Sequence, residues 1–139
     1  MEKCLGVCAC GKLEFECLGD PLNSVFCYCL SCQRVTNSDK WFGVWYPKDS
    51  VSFTKGKASI FIRKGDSGKN MEHMFCIKCS TTVAVFCEVG NFYSISASCL
   101  QNKEELFPNM LIYTAQAVSW AQFPIDVPKF DIIAPEMGG

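Results

Sequence analysis

The sequence lacks the charge excess and the long apolar runs that mark several large classes of protein. Its 139 residues carry a formal net charge of −1, with a sequence pI near 5.8, so they offer no basic surface to nucleic acid or to an anionic membrane. No run approaches the roughly 20 consecutive apolar residues that span a bilayer. We therefore expect no nucleic-acid partner and no membrane segment.

We also expect no secretory signal, because no apolar segment follows Met1-Glu2-Lys3. A chain with eleven cysteines and no such signal is expected in a reducing compartment, the cytoplasm or the nucleus. No interdomain linker or repeat is visible, and 49% of the residues are apolar, so residues 1–139 are predicted to form one domain.

Histidine is nearly absent, since His73 is the only one in the chain. It alternates with Met71 and Phe75 in a strand-like run, which is typical of a structural or solvent-facing side chain. The sequence therefore gives little support to histidine as a metal ligand or as an acid–base catalyst.

Cysteine is abundant by contrast, and seven of the eleven fall into three short clusters. A tight turn lets two thiolates separated by one or two residues face a common point about 2.3 Å from each sulfur, which is typical of zinc thiolate sites. The clusters are Cys8 and Cys10, then Cys27, Cys29 and Cys32, then Cys76 and Cys79.

The seven clustered cysteines divide naturally into four and three. The first and third clusters both lie on turns before alternating strand-like runs, so we expect them to meet and complete a closed structural zinc site: Cys8, Cys10, Cys76 and Cys79. The middle cluster needs no distant partner, and three sulfurs predict a catalytic zinc with an exchangeable fourth ligand: Cys27, Cys29 and Cys32. Two Zn²⁺ ions per chain are predicted, and the catalytic one is expected to be the more easily lost.

A disulfide framework is the competing interpretation, but an odd cysteine count and vicinal spacing too short for a relaxed bridge argue against it. Outside the clusters, Cys17 and Cys87 occupy apolar positions of strand-like runs and are expected in the core. Cys99 follows such a run and is expected to be a buried thiol, with a redox nucleophile as the alternative. Cys4 receives no predicted role.

Short runs of β-forming residues predict an all-β domain with little helix. We expect a polar loop over 33–40, a hairpin loop over 64–70, helical turns over 103–106 and 115–120, and an extended or loose tail from Pro124 onward. Strands are predicted over 13–18, 25–27, 42–46, 51–54, 59–63, 71–75, 82–87 and 92–97.

The cysteine clusters stand in the runs GVCACGKLEF at 6–15, FCYCLSCQR at 26–34 and FCIKCST at 75–81. In these runs the chain resembles the glutathione-dependent formaldehyde-activating enzyme family, which includes centromere protein V. The resemblance implies a β-tent fold, shared with methionine sulfoxide reductase B, with mostly antiparallel short strands around zinc knuckles. Weaker likeness continues in 94–100, 108–113, Trp120 and 128–130.

The resemblance also implies carbon–sulfur lyase activity, the family's named reaction being condensation of glutathione with formaldehyde to S-hydroxymethylglutathione. In such an enzyme the zinc at Cys27, Cys29 and Cys32 would hold a substrate thiolate or a water in its fourth position. We therefore expect a zinc-dependent lyase or adduct-forming enzyme whose partner is a small, glutathione-like thiol.

The chain departs from the family pattern around the open site. Tyr28 stands where a histidine is usual, and Gln33 stands where an arginine commonly follows the third cysteine, so that Arg34 is displaced by one position. Ser80 replaces the usual glycine after the last cysteine, and Leu111 replaces a histidine. The zinc scaffold is kept, while its polar surroundings are changed.

Two other functions fit parts of the sequence. One is a non-enzymatic zinc module for protein contacts, and the other is a thiol oxidoreductase, which requires an exposed Cys99 thiol of low pKa. Aromatic and basic residues are further candidates for substrate contacts. For the aromatic residues the alternative role is packing in the core, and for the basic residues it is an exposed position on the surface. The aromatic candidates are Trp41, Phe42, Trp45 and Tyr46, and the basic ones are Arg34, Lys40 and Lys78.

Overall fold

The computed structural model describes residues 2–133, in which two sheets account for most of the regular structure. The predicted all-β class is confirmed, and within the described residues the single α-helix is α1, Leu30–Thr36. The strands are β1 Lys3–Val7, β2 Glu14–Leu18, β3 Asn23–Cys27, β4 Trp41–Pro47, β5 Val51–Lys55, β6 Ser59–Lys64, β7 Asn70–Phe75, β8 Thr82–Cys87, β9 Phe92–Ser96 and β10 Met110–Ile112.

A three-stranded sheet in the order β1-β2-β5 packs against a seven-stranded sheet in the order β10-β3-β4-β9-β8-β7-β6. Neighbouring strands are antiparallel except for β10, which runs parallel to β3. Because side chains alternate between faces along a strand, each strand of the larger sheet divides its residues between two environments. On β4, Val44 and Tyr46 are buried in the main core with Phe15 and Ile95.

The opposite face of the larger sheet carries the other half of the alternating residues. Trp41, Gly43 and Trp45 alternate with Val44 and Tyr46 along β4 and so point away from the main core. Trp41 forms a separate buried group whose members are Trp41, Val85 and Cys87, with Cys27, Cys32, Met71 and Phe92 packed against them.

The predicted loop over 33–40 is wrong in its first half, because α1 extends to Thr36. Cys29 caps this helix by accepting a hydrogen bond from the Cys32 N–H at 3.3 Å, and Asn37 ends it in a left-handed conformation. A helix of seven residues is too short to show a helical apolar period, which explains why the sequence pattern missed it. The strands β1 and β10 were also missed.

The prediction of an extended or loose tail is wrong over its described part, because the chain turns at 125–126, with Asp126 at a φ of 64°, and is then held by hydrogen bonds. Leu111 donates to the Pro128 carbonyl, and Phe130 donates back to the Leu111 carbonyl, each at 2.9 Å. Residues 134–139, which the prediction for the tail includes, lie outside the described residues. The predicted helical turn over 103–106 is confirmed as a 3₁₀ helix at Lys103–Glu105, whereas the one over 115–120 is displaced to Thr114–Gln116.

The hairpin loop over 64–70 is confirmed between β6 and β7. Within residues 2–133, no helix combines the length and the apolar character that crossing a membrane requires.

Candidate metal centres and cavity

Four of the seven clustered cysteines meet at one point, as their spacing predicts. The Cys10 sulfur lies 3.7 Å from the Cys8 sulfur and 3.7 Å from that of Cys76, and with Cys79 all four sulfurs lie within 4.8 Å of one another. Four sulfurs about 2.3 Å from a zinc ion stand about 3.8 Å apart at the corners of a tetrahedron. The donor set therefore fits a closed tetrathiolate site.

Two turns of similar construction present these four sulfurs. In the first, the Cys8 carbonyl accepts from the Gly11 N–H at 3.1 Å, and in the second the Cys76 carbonyl accepts from the Ser80 N–H at 2.7 Å. Gly11 and Ser80 both adopt positive φ, of 80° and 64°. A left-handed residue is needed at this point of the turn, which gives a physical reason for the glycine usual at the position of Ser80.

Hydrogen bonds around the four-cysteine cluster favour thiolate sulfur. The Leu13 N–H donates to the Cys8 sulfur at 3.3 Å. The side-chain and backbone hydrogen bonds of Thr81 lower the pKa of Cys79 to about 5. Donors of this kind orient metal ligands and stabilise their charge, so they support this cluster as a metal site.

The remaining three clustered cysteines also meet, at the junction of β3 and α1. The sulfurs of Cys27, Cys29 and Cys32 lie within 4.8 Å of one another, and those of Cys29 and Cys32 are 2.9 Å apart. The last distance is about 0.9 Å shorter than a tetrahedral edge at zinc, so a small rotation of one side chain is needed for both to bind one ion. Three sulfurs leave one position of a tetrahedron for another ligand.

The three thiols of this cluster differ in acidity. Hydrogen bonds from Cys27 and then Cys32, with a smaller effect of the positive charge of Arg63, hold the pKa of Cys29 well below its usual range. The interaction with Cys29 raises the pKa of Cys27, and those with Cys27 and Cys29 raise the pKa of Cys32. One thiolate is thus supported by two thiols, whose protons must leave when a metal ion binds all three sulfurs.

The three-cysteine cluster lies in the wall of a cavity of about 640 Å³ on the face of the seven-stranded sheet that points away from the main core. This size is in the range of small-molecule sites. None of the four-cysteine cluster lines it. We call this space the cysteine cavity; its other wall residues include Val25, Trp41, Trp45, Val85, Phe92 and Ile112, with the polar Arg63, Asp66, Lys69 and His73.

A hydrogen bond holds the indole of Trp41 against the wall of the cysteine cavity. Trp41 Nε1 donates to Ser94 Oγ at 3.0 Å. The intervening position on β4 is Gly43, where a Cβ would overlap both the Ser94 hydroxyl and the indole nitrogen. Gly43 therefore makes room for this packing.

The aromatic candidates divide by face, as alternation along β4 requires. Trp41 and Trp45 line the cysteine cavity, whereas Tyr46 is buried in the main core and Phe42 packs against that core. Trp45 also stacks on Phe92, with ring centroids 4.4 Å apart.

The predicted basic candidates Arg34, Lys40 and Lys78 are not among the residues that line the cysteine cavity. Lys40 instead pairs with Asp39 at 3.2 Å and lies over the Phe26 ring. The basic residues that line the cavity are Arg63 and Lys69, which sequence reasoning missed because they lie more than 30 positions from the cysteine cluster in the chain.

His73 is buried, with 5% of its surface exposed, and it also lines the cysteine cavity. Its Nε2 accepts a hydrogen bond from Arg63 Nε at 3.0 Å. Burial first, and the charge of Arg63 second, lower the pKa of His73 to about 4. Of the two predicted alternatives, a structural residue agrees with this burial and a solvent-facing one is wrong, and the position beside the cysteine cluster was not predicted.

The remaining cysteines lie outside both clusters. Cys17 and Cys87 are buried, as predicted. Cys99 belongs to the main core with 8% exposure, and burial raises its pKa. A redox nucleophile needs an exposed thiol of low pKa, so the structure does not support that role for Cys99. The Cys4 thiol donates to Asn102 Oδ1 at 3.2 Å.

The residues that depart from the family pattern have structural contacts. Tyr28 is fully buried, and its hydroxyl donates to the Gln122 carbonyl at 3.1 Å. Gln33 donates from Nε2 to the carbonyls of Tyr28 and Gln116, at 2.8 and 3.1 Å. Leu111 is also fully buried. These residues fix the backbone around the three-cysteine cluster.

The family model described as glutathione-dependent formaldehyde-activating enzyme matches residues 3–116, a span that contains both cysteine clusters and all ten strands. The chain belongs to this family. The suspected resemblance is thereby confirmed. Comparison with curated protein sequences gives no match.

A crystal structure of a Rhodobacter sphaeroides protein is similar to this chain in fold. It shares 18% sequence identity and a TM-score of 0.55, over 70% of this chain and 87% of the other. At this identity the likeness concerns the fold alone.

Proposed function

We propose that the protein is a zinc-dependent carbon–sulfur lyase or adduct-forming enzyme that acts on a small thiol conjugate such as S-hydroxymethylglutathione. Cys8, Cys10, Cys76 and Cys79 would hold a structural zinc, and Cys27, Cys29 and Cys32 would hold a second, catalytic one. When bound, such an ion lowers the pKa of a thiol or water in its remaining position. Membership of the family supports a glutathione-like substrate.

One observation carries this proposal, namely that the three-cysteine cluster lines the cysteine cavity whereas none of the four-cysteine cluster does. A structural site needs no access for a ligand, whereas a catalytic site must admit one. The cavity favours an enzyme over a module for protein contacts, because the latter would need no ligand-sized space beside the cluster.

The proposed reaction needs no oxidant or reductant. The thiol sulfur forms a bond to the carbon of the aldehyde, and the proton lost by sulfur passes to the former carbonyl oxygen. The lyase direction breaks the same carbon–sulfur bond and returns the proton. The mostly apolar walls of the cysteine cavity would position the thiol conjugate near Cys29 and its neighbours.

The test combines metal content with NMR exchange between formaldehyde and S-hydroxymethylglutathione. We expect two zinc ions per wild-type chain and faster exchange than in buffer, whereas Cys29→Ser keeps one firmly bound zinc and loses the acceleration. Cys4→Ser serves as the matched control, because Cys4 lies outside both clusters. A wild-type protein with two zinc ions that accelerates exchange for no thiol would instead favour the module for protein contacts.

A further inference from the structure

Arg63 presents a cation to the cysteine cavity and has no carboxylate partner among residues 2–133. Its side chain is half-buried. Arginine at a partly buried position is usually paired, since its guanidinium keeps its charge at all physiological pH values. Arg63 therefore has unused capacity to bind an anion that enters the cavity.

His73 holds this guanidinium by one edge. The acceptor for Arg63 Nε is His73 Nε2, so the proton of the neutral imidazole resides on Nδ1. Nδ1 is buried and has no hydrogen-bond partner within the described residues. The imidazole is thus an acceptor fixed by burial between β6 and β8. Because it binds only Nε of Arg63, the terminal N–H groups of the guanidinium can bind another acceptor. Their one contact over residues 2–133 is a weak one, from Arg63 Nη1 to the Lys64 carbonyl at 3.5 Å.

The positions of Arg63 and the three-cysteine cluster make them parts of one site. Both line the same cavity, and the charge of Arg63 acts on Cys29. The wall of this shared cavity is mainly apolar and includes the stacked pair Trp45 and Phe92. A ligand that satisfies all three features carries a thiol, a carboxylate and an apolar body.

We propose that Arg63, positioned by His73, binds a carboxylate of the substrate, and that the cysteine cavity favours thiols or thiol adducts that carry an apolar group as well as that carboxylate. This inference rests on the proposed function, because it names the class of thiol on which the enzyme acts. Planar guanidinium and carboxylate groups form paired hydrogen bonds, which gives this contact geometric specificity as well as affinity.

The first arm of the test uses ligands without a thiol, so that it does not depend on catalysis. Binding of 3-phenylpropanoate and of its neutral amide to the zinc-loaded protein is measured by tryptophan fluorescence, since Trp41 and Trp45 line the cavity. We expect the carboxylate to bind about 10-fold or more tightly than the amide. Arg63→Gln should bring the two affinities together, and Arg34→Gln, which changes the only other arginine, should preserve the ratio.

His73→Asn tests the positioning role. Loss of the imidazole should lower the affinity for the carboxylate several-fold and leave the affinity for the amide unchanged. If His73 served folding alone, its loss would lower both affinities or neither. Equal binding of carboxylate and amide by the wild-type protein, or an unchanged ratio in Arg63→Gln, would overturn the proposal.

The second arm separates this inference from the proposed function. The Co²⁺-substituted protein is titrated with 2-benzyl-3-mercaptopropanoate and its amide, and the thiolate band of the metal is recorded. Both thiols should perturb the band, the carboxylate at lower concentration. If both thiols perturb the band at the same concentration, Arg63 is not the carboxylate contact. If neither thiol perturbs the band while the first arm still shows tighter binding of the carboxylate than of the amide, the result counts against the catalytic zinc alone.

Discussion

Tyr113 donates a hydrogen bond from its hydroxyl to Asp66 Oδ2 at 2.6 Å, and this contact joins the two edges of the seven-stranded sheet. Asp66 lies in the loop after the edge strand β6, and Tyr113 directly follows the opposite edge strand β10. Both residues line the cysteine cavity, so the sheet curls until its two ends meet across that space. Burial, followed by the contact with Asp66, raises the pKa of Tyr113, which keeps the hydroxyl a donor.

We expect Tyr113→Phe to loosen this closure while leaving the fold intact. The hydrogen bond has a charged acceptor but is exposed to solvent, so its loss should lower the free energy of unfolding by about 1 kcal/mol. Ligand dissociation from the cavity, followed by tryptophan fluorescence in a stopped-flow instrument, should become several-fold faster. Asp66→Asn is the matched variant, and an unchanged dissociation rate in both would show that the contact does not close the cavity.

Gly43→Ala is expected to disrupt the wall of the cavity. The added Cβ would meet Ser94 Oγ and Trp41 Nε1, so the indole must shift and the free energy of unfolding should fall by about 1–3 kcal/mol. Urea denaturation followed by fluorescence measures the loss. Ser94→Ala removes one of the two groups that the new Cβ would overlap. In that background Gly43→Ala should therefore lower the free energy of unfolding by a smaller amount. Strictly additive losses would contradict this account of Gly43.

The cysteine pairs and the triplet could be predicted from the sequence because each lies on a turn that is encoded locally. The joining of the two distant pairs could be predicted because a closed zinc site needs four ligands and the two pairs lie on similar turns. Eight of the ten strands followed from alternation, which is also encoded locally, whereas β1 and β10 did not. Arg63 and His73 could not be assigned to the site, since their proximity to Cys29 depends on the order and curvature of seven strands. Pairing of β6 with β7 places Phe61 opposite His73, but no local pattern shows that this face encloses a cavity.

The buried His73 should make stability depend on pH in the weakly acidic range. Its pKa is about 4 in the folded protein and about 6.5 in the unfolded chain, so the unfolded chain binds the proton first as the pH falls. The stability that the neutral imidazole contributes is complete above pH 6.5 and is lost progressively toward pH 4. The melting temperature, measured by thermal denaturation in matched zinc, should fall more steeply with decreasing pH for the wild type than for His73→Asn over this interval. Parallel curves would contradict the assignment.

The two cysteine clusters should differ in their effect on stability, because they close very different lengths of chain. Cys10 and Cys76 are 66 positions apart, and a metal that joins their cluster restricts the unfolded chain by several kcal/mol, about the size of a long-range cross-link. The other cluster encloses only a local turn. Cys79→Ser should therefore lower the melting temperature markedly or prevent soluble expression, while Cys29→Ser should stay folded and lose thiol binding. Equal losses of melting temperature in matched zinc would refute the assignment of one structural and one catalytic site.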